Sequence, residues 1–77
     1  MIKELDTVVL THNIEESNLT EGDIGTVVHC YRDTTAFEVE FVTAEGRTIA
    51  VLTLTTDDIR LMSNKEILHV REIAQAL

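Results

Sequence analysis

A single cysteine, Cys30, leaves the chain no internal disulfide and fits a reducing, cytoplasmic address. Basic residues are scarce as well, with 6 Lys and Arg against 14 Asp and Glu for a formal net charge of -8. They are scattered at Lys3, Arg32, Arg47, Arg60, Lys65 and Arg71, whereas nucleic-acid modules gather cations so that binding releases counterions. Nucleic acid is therefore a disfavoured partner. No apolar run approaches the roughly 20 residues that span a bilayer, and the opening Met-Ile-Lys-Glu carries no signal-peptide block, so no membrane association is expected. Proline is absent and glycine occurs three times, so no linker divides the 77 residues and one domain is expected.

What is present is a patterned chain of 44% hydrophobic residues, too apolar for disorder. A chain this short hides only about 60% of the surface it exposes unfolded, so a partner or a second copy would add to a small core. The acidity fits either a solvated surface or a basic protein partner.

The organising stretch is Leu19 to Val28, where Gly22 and Gly25 precede a β-branched run. It predicts a loop-to-strand corner, with positive φ at the glycines and Asp23 bonding nearby amides. Before it, Leu5 to Thr11 predicts a first strand, and the polar run from His12 to Asp23 a long loop pinned at Ile14 and Leu19. After it, Thr26 to Arg32 predicts a second strand. Its inward set is open, being either Val28 with Cys30 or Val27 with His29 and Tyr31.

A polar turn over Asp33-Thr34-Thr35-Ala36 leads to Phe37-Glu38-Val39-Glu40-Phe41, whose alternation points the aromatics and Val39 inward. Ala44-Glu45-Gly46 suits a three-residue hairpin loop with Gly46 left-handed. Counting outward from Thr43 opposite Arg47 pairs Phe41 with Ile49 and Val39 with Val51. That register puts Val42, Ala50, Leu52 and Leu54 on the other face, beside Glu38 and Glu40. Thr55 to Asp58 predicts a turn, and Ile59 to Met62 a closing strand.

Ser63 and Glu66 have the spacing of a capping box, and Ile67, Val70, Ile73, Ala74 and Leu77 then fall on one helical arc. The expected architecture is mainly β: a five-stranded SH3-like barrel over residues 1-62, with a C-terminal amphipathic α-helix over 63-77 in the same domain. The helix would cover its own sheet or support self-association.

Side-chain chemistry is sparse. His12, His29, His69 and Cys30 have no metal-ligand spacing, and His29 and Cys30 point to opposite faces of a strand, so no metal or cofactor is expected. Glu38 and Glu40 lie about 6 to 7 Å apart on one strand face, within range for paired carboxylates. Alternating charge on an exposed strand is the commoner meaning. Glu15-Glu16 reads as a solvated loop and Asp57-Asp58 as a turn cap. No phosphate loop and no nucleophilic triad assembles, so no catalytic residue is assigned and the expectation is a non-enzymatic protein.

The ordered segments Leu5 to Leu10, Gly22 to His29, Phe37 to Val42, Ala50 to Leu54 and Asp58 to Arg60 resemble a family of small, uncharacterised bacterial proteins classed as a domain of unknown function. The resemblance covers most of residues 2 to 60. It implies an SH3-like barrel and, for some members, a place beside toxin-like or nuclease-like neighbours. Residues 19 to 30 also resemble the KOW motif of ribosomal proteins and transcription factors, although Glu21 and Asp23 stand where RNA-binding members are basic.

Together these readings favour a protein-binding module, of antitoxin, immunity or accessory type, that holds a basic protein; the alternative is a nucleic-acid-associated KOW-type barrel. The partner-binding candidates are Glu15, Glu16, Glu21, Asp23, Glu38, Glu40, Leu52, Ile67, Val70, Ile73 and Leu77. Gly22, Gly25 and Gly46 are the structural ones.

Overall fold

Apolar and β-branched residues draw five strands from the sequence: β1 (Thr7–Leu10), β2 (Ile24–Cys30), β3 (Ala36–Val42), β4 (Thr48–Thr55) and β5 (Ile59–Leu61). The computed structural model describes residues 1-32 and 35-73. All strand pairs are antiparallel, in the order β4-β3-β2-β1-β5. The core packs on one face of this sheet, from Val8, Leu10, Val27, Phe37, Val39, Phe41, Leu54 and Ile59, with Leu19 added from the loop.

Local chemistry sets the strand ends. Leu5 takes a left-handed φ of 73°, so β1 starts at Thr7 rather than at Leu5. The loop is cinched where Ile14 and Leu19 exchange backbone hydrogen bonds of 2.8 and 3.1 Å. The corner itself is Thr20 to Asp23: the Asp23 carboxylate accepts from the Thr20 amide at 2.8 Å, and Gly22 supplies a φ of 94°. Gly25 does not share that conformation. It lies inside β2, which begins at Ile24 rather than Thr26.

Two irregularities decide which residues face the core. Between Val27 and His29 the pairing with β3 shifts, so Val27 lies opposite Val39 while Cys30 lies opposite Phe37. Each of the two inward sets left open by the sequence thus supplies one residue. In the second hairpin Gly46 is left-handed at 88°, and the Thr43 amide donates to the Arg47 carbonyl at 2.8 Å. A bulge beside Phe41 and Val42 then moves the register by one. Phe41 opposes Ala50, Val39 opposes Leu52 and Phe37 opposes Leu54. The pairing of Phe41 with Ile49 and Val39 with Val51 is therefore corrected, and Ala50, Leu52 and Leu54 belong to the core face.

The closed barrel and the C-terminal helix are also corrected. Strands β4 and β5 are the two ends of the order and do not pair, so the sheet is open. A 3-10 turn at Glu15–Ser17 is the only helical element among the described residues. The Ser63 amide does donate to Glu66 Oε1 at 2.7 Å, as a capping box requires, but no helix follows. Instead the tail runs back across the molecule, where Arg71 meets Asp23 at the corner and Ile73 packs against the core. Ile67 and Val70, placed on the expected arc, are 92% and 88% exposed. Ala74 and Leu77 lie outside the described residues, as do Asp33 and Thr34 of the polar turn.

Candidate functional site

The acidic residues separate into groups with different tasks. At the corner, Arg71 donates from Nε to Asp23 Oδ1 at 2.9 Å and from Nη2 to Asp23 Oδ2 at 2.5 Å, and reaches the Asn18 carbonyl at 3.0 Å. Asp23 is thereby engaged within its own chain. Glu15 and Glu16 lie exposed on the 3-10 turn, and the Glu21 amide donates to Asn13 Oδ1 at 2.8 Å, leaving its carboxylate outward. The tail passes over a groove of about 440 Å³ between the corner and the second hairpin, lined among others by Leu19, Ile24, Phe41, Ile49 and Ile73.

A second group lies on the sheet face opposite the core. Across the strands, Val51, Glu40 and Thr26 form one row, and Thr53, Glu38 and His29 the next. Glu38 Oε2 accepts from Thr53 Oγ1 at 2.5 Å and from Tyr31 Oη at 2.6 Å, and Glu40 Oε2 accepts from Thr48 Oγ1 at 2.7 Å. The Thr53 and Tyr31 hydroxyls hold the Glu38 carboxyl below the usual range, so it stays ionised. Both carboxylates are thus oriented by hydroxyl donors. Half-exposed Val51 stands opposite Glu40, half-exposed Tyr31 bonds Glu38, and half-exposed Val42 follows Glu40 by two residues on β3.

The remaining charges staple the chain ends. His12 Nε2 meets Asp58 Oδ1 at 2.7 Å, and that hydrogen bond raises the His12 pKa. Asp58 also accepts from the Thr55 amide at 2.9 Å; this bond, then the one to His12, holds its carboxyl low. Arg60 grips Glu66 through two hydrogen bonds, of 2.9 and 2.7 Å, and with the Ser63 amide brings the Glu66 pKa down to about 2. For Asp23, burial opposes ionisation, but Arg71 and the Thr20 amide outweigh it and the pKa is lowered.

Depressed carboxyl pKa values mean that the unfolded chain takes up protons first. Stability from Asp23, Asp58 and Glu66 is fully present above the ordinary carboxylate range of about 4 and is lost as pH falls through their folded values. Chemical denaturation should therefore show a falling midpoint from about pH 4 toward pH 2. Arg60→Ala should flatten the acid end of that profile, and an unchanged profile would show that the Glu66 clamp does not form in solution.

His29 is exposed, edge-on to Tyr31 at 4.8 Å between ring centroids, and Cys30 is half-buried against the core. Among the described residues no group of three or more His, Cys, Asp or Glu is arranged to hold a metal ion. No helix among them is long and apolar enough to cross a membrane.

The structure brings Glu38 and Glu40 together, as their spacing in the sequence requires, and leaves them apart from Glu15, Glu16 and Glu21. Leu52 is half-buried on the core face, Ile73 packs on the core, Ile67 and Val70 are in solvent, and Leu77 lies outside the described residues. Tyr31, Thr48 and Thr53, which orient the carboxylates, were not singled out by sequence. Thr53 stands opposite Glu38 and Thr48 lies beyond the bulge, opposite Val42, so their positions follow from the β4 register and no local pattern in the sequence marks them.

No curated protein and no solved structure matches the chain. The resemblance read from the sequence is borne out at the level of the family: residues 4-61 match a domain of unknown function (DUF4926), and the chain belongs to that family.

Proposed function

We propose that this protein is a non-enzymatic binding module that receives a basic protein segment on the outer face of β2, β3 and β4. The observation that carries this reading is the pair Glu38 and Glu40, oriented by hydroxyl donors and set among half-exposed Val42, Val51 and Tyr31. Carboxylates around an apolar patch suit a Lys- or Arg-bearing partner, since the charges fix its register while the aliphatic and aromatic surface contributes burial. The net charge of -8 steers cations toward the molecule. A nucleic-acid interface has less support, because Arg60 and Arg71 are engaged with Glu66 and Asp23. An antitoxin, immunity or accessory protein of the bacterial cytoplasm is the class that fits.

Affinity capture with the full chain from host extract tests the proposal, run beside a Glu38→Gln/Glu40→Gln variant and beside immobilised DNA and RNA at low salt. The expected result is a basic protein, released by salt and held about tenfold more weakly by the variant. Equal retention by the variant, or salt-sensitive binding to nucleic acid in its place, overturns it.

A further inference from the structure

Two side chains seat the tail on the sheet. Arg71 reaches the Asp23 carboxylate and the Asn18 carbonyl, and Ile73 packs against the core, lining the groove with Leu19, Phe41 and Ile49. Among the described residues, no backbone–backbone hydrogen bond joins residues 67-73 to the sheet. The seat is built for a cation: the Thr20 amide pins Asp23 Oδ2 at 2.8 Å, and the Asp23 side chain is only 18% exposed. A carboxylate so far from water is costly without a positive partner, so the corner keeps a guanidinium in place.

The linker that carries Arg71 to this seat is its opposite in character. Ile67, Leu68 and Val70 are all exposed, three large apolar side chains within four residues. Apolar side chains gathered in water mark a surface that another molecule covers.

We propose that the tail is exchanged between two copies of the chain, so that Arg71 and Ile73 of each occupy the corner and groove of the other. The seat itself selects this occupant, because its fit to these residues is already displayed within one chain. Exchange remakes every contact of the seat with the same residues and loses none of them. The linker then decides between the two states. Arg60 holds Glu66, and the five steps from Glu66 to Arg71 span at most about 17 Å. Two bodies that exchange tails must therefore meet along their linkers, where Ile67, Leu68 and Val70 of both copies leave water together. The closed monomer lacks that burial. Glu38 and Glu40 do not line the groove, so the exchange stands independently of the binding proposed for the outer face.

Charge reversal across the clasp separates exchange from closure. Arg71→Asp sets a carboxylate against Asp23, and Asp23→Arg sets a guanidinium against Arg71, so neither variant seats its own tail or that of an identical copy. A 1:1 mixture makes both clasps complementary, but only between chains. In sedimentation over a concentration series, wild type should form dimers, and the mixture should associate about tenfold more tightly than either variant alone. Asp23→Arg also removes the bond to the Thr20 amide, so wild type supplies an independent readout. In a mixture of 13C-labelled and unlabelled full-length chain, isotope-filtered NOEs from the Ile73 methyls to the groove side chains Leu19 and Phe41 are expected between chains. A wild-type chain that stays monomeric at millimolar concentration overturns the proposal, as does a dimer whose Ile73 NOEs arise within one chain only. So does a mixture of folded variants that associates no better than either alone.

Discussion

Gly25→Val should be the most damaging single change in the sheet, with a loss of about 3 kcal/mol or more against a total stability of only about 5 to 10 kcal/mol for a domain of this size. The cause is space. A Cβ at Gly25 would lie 2.6 Å from Val39 Cγ1, 2.8 Å from Phe41 Cε2 and 3.1 Å from the Glu40 carbonyl oxygen. Two of these neighbours are core side chains and the third is backbone, so relief requires β2 and β3 to separate. Gly25→Ala already meets the clash and should cost about 1 to 3 kcal/mol. Gly22→Ala is the control: its Cβ would meet nothing within 4 Å, but its φ of 94° is unfavourable to a side chain. That substitution should cost about 1 to 2 kcal/mol through the backbone alone. Denaturation midpoints give the ranking, and a Gly25→Val protein as stable as Gly22→Ala would mean that β2 and β3 do not approach this closely.

The reason for Gly25 illustrates how the sequence could be right about a position and wrong about its physics. Two glycines three apart announce a corner, but only Gly22 makes the turn, while Gly25 is needed because Val39 and Phe41 occupy the place of its side chain. Nothing local to Gly25 distinguishes these causes, since the clash is with a strand more than ten residues away. The inward set of β3 was legible because Phe37, Val39 and Phe41 alternate with glutamates. The inward set of β4 was not: Ile49 to Leu52 is apolar at every position, so alternation is silent and the count from Gly46 was the only guide. The bulge at Phe41 and Val42 made that count wrong by one. The tail shows a third kind of limit. Its arc of Ile67, Val70 and Ile73 matches a helix, but the contacts that hold it, Arg60 with Glu66 and Arg71 with Asp23, join it to β5 and to the corner. Helical periodicity carries no information about such distant anchors, and a short helix without a surface to cover gains too little to persist. For the candidate site, the carboxylate pair was legible from its spacing. The threonine donors depend on the β4 register and were not.

That register is tested most directly by truncating both faces of β3 and β4. Phe41→Ala should cost about 3 to 5 kcal/mol and Leu54→Ala about 2 to 5 kcal/mol, because each empties a buried site that the remaining core cannot fully refill. Phe41 is 2% exposed and Leu54 6%. Val51→Ala should stay within about 0.5 kcal/mol, since Val51 is 51% exposed and opposes Glu40 on the outer face. Glu40→Ala should be similarly mild, removing a surface hydrogen bond with Thr48 that water replaces. The informative contrast is between Leu54 and Val51, because a register without the bulge exchanges their places. It would put Val51 inside against Val39 and leave Leu54 in solvent. Equilibrium denaturation of the four variants decides between the registers: a large loss at Val51 with a small one at Leu54 would return the pairing to an unbulged hairpin. Val51 and Thr53 would then turn to the core, and the outer face would lose the surroundings on which the proposed binding role of Glu38 and Glu40 rests.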